Sequence, residues 1–478
     1  MTRLLRVVFG LCLGAGASLC VAQIPDSTTF HTPPDTVQTY NYDLDFGVGF
    51  SRIENAAGKN ERFLTLAFMP EFFYGDVSIG LLLVLRRHMR TGNLRREDFN
   101  TFSDYLGLIR YVQYGEEDEA PLYGRFGVLE YATLGYGQQI NFYTNTTSLD
   151  DPKHGLAFQY EDKGYQVEAM IGNLPASGIF GVRASYTPIP HTTRRRLQPL
   201  VLGISLSGDL SAEGAFINPE APGQPFLLDP PPAGTTGVGQ GFADGRLFII
   251  GLDAGLPLHT TEQASLLSYF ELAKIFDYGM GVALGARSTW RFPERRRLDV
   301  QFEQRLLGKQ YLPNYFDALY ELERVQQVRL EDEDGETLEG LDTKRNRLAA
   351  QRGVRFGSYA ALTFRSGHIF RLQTSFERVW NRAHSGWFHL DTRLRSRNLP
   401  LHLRLVYDRI NLRSFNDLFN GPRDEALFRV SLAYRFWPFI MLGFDYQQSF
   451  EPVKAEGVVI GRVKRQRIEP RVQVVLAL

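Results

Sequence analysis

The stretch that most limits what this chain can fold into runs from Ala426 to Gln447. Phe428, Val430, Leu432, Tyr434 and Phe436 are separated by Arg429, Ser431, Ala433 and Arg435, a period of two. Successive side chains of a strand point to opposite faces, so this period describes a strand with one apolar face. A Trp437-Pro438-Phe439 corner follows, after which Ile440, Leu442, Phe444 and Tyr446 alternate with Met441, Gly443, Asp445 and Gln447. Two such runs around a tight corner read as a β-hairpin. In a soluble sandwich the apolar face would turn inward. Here the other face carries arginine and aspartate, and aromatic residues gather at the strand ends. A barrel in a bilayer has that pattern: apolar side chains meet lipid, polar ones meet the lumen, and aromatic girdles mark the interfaces.

The same period recurs along the chain. Tyr40, Tyr42, Leu44, Phe46, Val48 and Phe50 alternate with Asn41, Asp43, Asp45, Gly47 and Gly49, and similar runs follow up to Ile468–Leu478. Tyr105, Leu108, Ile109 and Val112 instead have helical spacing and predict a short helix. Tyr123–Asn145 is dense in glycine and tyrosine, which suits either two strands or an inward-folded constriction. Connections alternate between tight turns (365–368, 398–400, 437–439) and long ones, as expected for short periplasmic turns and long outer loops. With both termini on the periplasmic side the strand number is even, about 18 with 16 to 20 open. The expected fold is therefore all-β, an antiparallel transmembrane barrel over residues 40–478 with large insertions at 88–122, 209–245 and 308–353.

Arg3 and Arg6 precede an apolar run from Val7 to Ala22 that ends in Cys20-Val21-Ala22, so residues 1–22 read as a signal peptide and 23–39 as a periplasmic lead-in. Cys12 and Cys20, the only cysteines, fall in the segment to be removed, leaving no disulfide and no thiolate metal site. No later run of about twenty apolar residues offers a helical span. The 53 basic and 53 acidic residues balance, so no net field favours nucleic acid. Only eight of the basic residues are lysines, and arginine suits paired, desolvated positions.

The signal peptide, alternating hairpins, uneven loops and final alternation of Val472, Val474, Leu476 and Leu478 resemble a Gram-negative outer-membrane β-barrel of the porin-like kind. Such barrels usually end in an aromatic residue that the assembly machinery reads; this chain ends in Leu478. The resemblance implies an outer-membrane location, contact with lipid and lipopolysaccharide, recognition by the barrel-assembly machinery, and passage of small polar solutes.

Strand parity sorts the candidate lumen residues. If Phe370, Leu372 and Phe376, then Phe388, Leu390 and Leu394, then Leu401, Leu403, Leu405 and Tyr407 face lipid, the lumen receives Arg371, Glu377, His389, Asp391, Arg393, Arg395, His402, Arg404 and Asp408. Arg429 and Arg435 join them from the opening hairpin, and Asp299, Glu303 and Arg305 from the strand near Leu298. An arginine row facing carboxylates would orient polar or anionic solutes; cross-strand pairing that only fills the barrel is the simpler account of the same residues.

Chemistry beyond passage finds little support in the residues. Gly203-Ile204-Ser205-Leu206-Ser207 lacks the second glycine of a nucleophile elbow. His389 and His402 lie beside Asp391 and Asp408, as in a barrel-embedded hydrolase, but with no serine evidently placed. No HExxH or phosphate-cradling GxxxxGK[ST] occurs, so no metal or cofactor is expected. The acidic run Glu331–Glu336 reads as a solvated loop. The leading expectation is a pore for small polar solutes, narrowed by the 105–145 region or the 308–353 insertion. A non-conducting barrel that works through its outer loops is the alternative from another class.

Overall fold

The computed structural model describes residues 40–54, 60–100, 102–115, 117, 120–145, 153–174, 178–187, 200–210, 226–227, 246–331, 337–367, 369–382, 384–395, 400–414, 416–420, 426–455 and 458–477. The expected signal peptide and lead-in, both cysteines, most of the acidic run and Leu478 lie outside these residues.

One antiparallel sheet closes on itself. It begins with Tyr40–Glu54, Asn60–Tyr74 and a third strand broken at Leu82 into Val77–Leu81 and Leu83–His88. It ends with Ile440–Ala455 and Val458–Ala477. Leu44 stands opposite Leu476 and Phe46 opposite Val474, which joins the last strand to the first. The circle has 20 strands. Closure joins the first and last strands edge to edge, as a membrane interior requires, while Leu83–His88 meets Leu94 on its second side through a bridge from Arg87.

The count exceeds the expected 18 by two strands, Ile109–Tyr114 and Leu122–Gly127. Both fall where the sequence looked helical or glycine-rich. The helix is only Phe102–Leu106, and from Ile109 the chain pairs with Val77–Leu81. The neighbouring strand makes room for a ring of the first: a Cβ on Gly80 would sit 2.6 Å from the Tyr111 ring across the pair. Gly127 then ends the wall at φ +114°, where a side chain would meet the Arg110 carbonyl at 2.5 Å. Only glycine turns the chain out of the sheet there.

Parity is clear on the opening hairpin. Leu432 is paired with Phe444, and both are about two-fifths exposed, at 39% and 42%. Met441, Ala433 and Asp445 on the alternate positions are buried. The exposed face carries Ile204, Leu252, Leu284 and Phe302, and the buried face carries Ser205, Asp253, Glu271 and Glu303. This inverts a soluble protein's arrangement and matches a wall solvated by lipid. One patch departs from the expected exposure. Phe388, Leu390 and Leu405 are covered by Leu412 and Leu418, the latter from a short helix, Asp417–Asn420. The Tyr407 hydroxyl donates to the Leu418 carbonyl at 2.7 Å and fastens that helix to the wall.

Candidate functional site

Six arginines stand directly opposite one another on six consecutive strands. Arg291 faces Arg297, Arg297 faces Arg365, Arg365 faces Arg371, Arg371 faces Arg393 and Arg393 faces Arg404. Neighbouring strands lie about 5 Å apart, so the row is a continuous cationic band. It runs near the tight-turn end, on the face opposite Leu298, Phe364, Leu372 and Leu403. Continuing round, Ser431 faces Arg404, Asp445 faces Ser431, and Glu469 faces Asp445. The band therefore gives way to carboxylates after one neutral position.

Like charges in register repel unless something compensates. Glu130, from the segment after Gly127, accepts from Arg393 Nη2 and Arg404 Nη1, both at 2.7 Å. Burial pushes the Glu130 carboxyl up, but Arg404, Arg393 and Arg125 outweigh it and hold the group well below the usual carboxylate range. Arg404 also reaches Asp391 at 3.6 Å. Arg371 donates to Gln373, and Arg297 pairs with Asp299, which accepts from Thr289.

The remaining sequence candidates occupy the same alternate positions, in separate clusters. Arg305 is enclosed between Glu303 (2.6 Å) and Glu377 (2.8 Å), and Glu303 also accepts from the Tyr269 hydroxyl at 2.6 Å. Arg395 pairs with Glu71 at 3.4 Å, which also binds Arg110. His402, Arg429 and Arg435 are half-buried, with interactions of their own. Parity found individual members, but Arg291, Arg297 and Arg365 were missed although they share it, because register cannot be read without pairing. Glu130 was missed because nothing local marks it.

His389 Nδ1 meets Asp408 Oδ1 at 2.5 Å, and both side chains are fully buried. Ser375 stands opposite His389, which itself faces Asp408, so serine, histidine and aspartate share one line across three strands. That serine was not seen in the sequence. Its hydroxyl makes no hydrogen bond to the ring, and the imidazole is packed by Tyr131 at 4.5 Å and Phe142 at 4.6 Å. Hydrolysis needs a nucleophile bonded to its base and room for a carbonyl between them; this line has the alignment without that bond, and aromatic rings occupy the adjoining space.

Two connecting segments pack against the buried face. In residues 128–145, Gln139 donates to Ser205 Oγ (2.6 Å) and accepts from Ser207 Oγ (2.7 Å), while Asn141 donates to the Tyr359 hydroxyl (2.9 Å). The wall has glycine where this segment comes closest: a Cβ on Gly181 would lie 2.4 Å from Ile140. In residues 308–353, Tyr320 and Arg324 bind Asp209, and Lys344 lies between Asp317 and Glu323. Ile140 and Phe316 join the two segments through a parallel bridge. Burial, with the charge of Glu323 adding to it, pushes Asp317 up to about 6 despite Lys344. Glu323 is buried too, yet Arg347 and Lys344 bring it down to about 2. Among the described residues no group of His, Cys, Asp and Glu is arranged to hold a metal ion.

No protein-family model and no curated protein matches the sequence. Solved structures similar to it include the outer membrane protein OpdK of Pseudomonas aeruginosa, at 10% identity and a TM-score of 0.33, covering 92% of this chain and 99% of that one. OprD of the same organism is 11% identical, with a TM-score of 0.30 over 92% and 95% of the two chains. The siderophore receptor PirA of Acinetobacter baumannii is 7% identical, with a TM-score of 0.31 over 92% and 81%. Overlays this loose, at identities this low, leave the function to be read from the chain's own residues.

Proposed function

We propose that the chain is an outer-membrane channel for small polar solutes, and that it favours anions. The carrying observation is the in-register row from Arg291 to Arg404 with Asp445 and Glu469 beyond it. A cationic arc of six in-register arginines sets a positive field on one stretch of the wall, and low-dielectric walls concentrate it. Neighbouring guanidiniums about 5 Å apart spread this charge along the wall near one end of the barrel, so an anion is attracted to the band without being held at a single point. On this reading Arg371, Arg393 and Arg404 line the lumen, while Arg305, Glu303 and Glu377 hold the wall together.

Residues 1–22 would serve as the signal peptide, and residues 40–478 would form the barrel among lipid and lipopolysaccharide after delivery by the assembly machinery. Segments 128–145 and 308–353 fold into the lumen and narrow it. A cavity of about 330 Å³, lined by neither segment, lies among Arg86, Asp98, Asp104, Arg110, Asp445 and Arg471. The test is single-channel recording of refolded protein. Discrete steps with a reversal potential on the anion side are expected, and removal of residues 312–349 should enlarge the steps. A refolded barrel that stays silent would instead support the non-conducting alternative. Steps of unchanged size after the deletion would place the constriction elsewhere.

A further inference from the structure

The long-loop rim carries a second basic site, remote from the arginine row. Where the 308–353 insertion rejoins the wall, a cavity of about 440 Å³ is lined by Gln351, Arg352, Arg355, Phe356, Trp380 and Arg382, among others. The lining includes three arginines and no aspartate or glutamate. Arg355 gives its hydrogen bonds to neutral acceptors: the Gln351 side chain (2.5 Å) and the carbonyls of Gly308 (2.9 Å) and Tyr311 (2.6 Å). Arg382 donates to the same Gln351 oxygen. Burial and the nearby charge of Arg347 push the Arg382 guanidinium below its ordinary value.

The apolar side of the cavity faces outward. Val354, Phe356 and Trp380 are 67%, 63% and 51% exposed, and they continue the lipid-facing positions of the strands Arg355–Ser366 and Phe370–Val379. The Trp380 indole donates to Ser358 Oγ at 3.0 Å and so keeps its ring on the wall. Arg378, between buried Glu377 and Val379, lies on the outward face next to Trp380 without lining the cavity.

We propose that this rim pocket binds the phosphate of a phosphorylated lipid of the outer leaflet, with the lipid's chains lying along Val354, Phe356 and Trp380. Guanidinium groups match phosphate oxygens in paired, charge-assisted hydrogen bonds. A dissolved phosphate would use the same arginines but gain nothing from the apolar flank, and that difference separates the two sources.

The test uses the full chain in neutral detergent, titrated with bis-phosphorylated lipid A, with bound lipid counted by native mass spectrometry. One tight, saturable site is expected. Arg352→Gln with Arg382→Gln should weaken it about tenfold or more, with heat-modifiable gel migration confirming a folded barrel. Should the pair misfold, exposed Arg352→Gln alone should still weaken binding measurably. Equal affinity for the dephosphorylated lipid would overturn the proposal. Inorganic phosphate that binds as tightly and displaces the lipid would also overturn it, making the pocket a solute site. Unchanged affinity in folded variants would be equally fatal.

Discussion

Arg393 and Arg404 stand opposite each other on adjacent strands, and each donates to a different oxygen of Glu130 at 2.7 Å. One carboxylate from a connecting segment thus covers two of the six cations in the row, so the net charge felt by a solute depends on a residue outside the wall.

Glu130→Gln should therefore raise anion selectivity. The amide still accepts hydrogen bonds but no longer cancels charge, so the reversal potential in a salt gradient should move toward the anion limit, with the permeability ratio rising severalfold. Partial solvent screening keeps the stability loss to about 1 kcal/mol. The native carboxyl is held well below its ordinary range, so its stabilising contribution is present above the unfolded value and is lost only as pH falls through the depressed one. The contribution of Glu130 to native selectivity should accordingly be constant from mildly acidic to neutral pH. An unmoved reversal potential in the variant would show that ions pass elsewhere.

Arg365→Gln with Arg371→Gln should act in the opposite direction. These two facing arginines sit mid-row, and removing both interrupts the band without touching Glu130. Selectivity should shift toward cations, and its dependence on salt should weaken because less fixed charge remains to be screened. If the double variant conducts with native selectivity but unfolds at lower temperature, the row is structural.

Much of this architecture can be read in the sequence, because a period of two survives wherever a strand has one apolar face. The hairpin around Phe428 and Phe444 shows it without ambiguity. The pattern fades in Ile109–Tyr114, whose residues continue a helical spacing from Tyr105, and in Leu122–Gly127, where Gly124 and Gly127 interrupt the alternation. Lumen chemistry is less legible for a different reason. Parity assigns Arg371 or Arg393 a face, but a row is a property of register, and register follows from pairings between strands far apart in sequence. Glu130 and Ser375 are defined only by what lies across from them.

The exposed face can be checked directly. Leu432→Arg places a charge against acyl chains and should cost roughly 2–4 kcal/mol near mid-depth, whereas Ser431→Arg on the alternate face should cost much less. Refolding yield into bilayers and urea midpoints are the measurements. Equal folding of the two variants would mean that the face assignment is wrong.

Asp317 makes the 308–353 insertion sensitive to pH in a direction opposite to the usual carboxylate. Its folded value is pushed up to about 6, so the folded insertion holds this proton more tightly than the unfolded chain, whose value is about 4. The stabilising contribution is fully present below about 4 and is lost as pH rises through about 6. Glu323, down at about 2, contributes with the opposite sign and does not titrate in that window. Between these values, then, amide protection in residues 311–323 and 342–350 should fall as pH rises, after correction for intrinsic exchange. Asp317→Asn imitates the protonated acid and leaves Lys344 its 2.6 Å partner Glu323. The variant should show protection independent of pH across the window and, at neutral pH, an opening equilibrium on the order of tenfold less favourable than native. Lower protection than native at neutral pH would mean that the ion pair with Lys344 outweighs the cost of burying the charge.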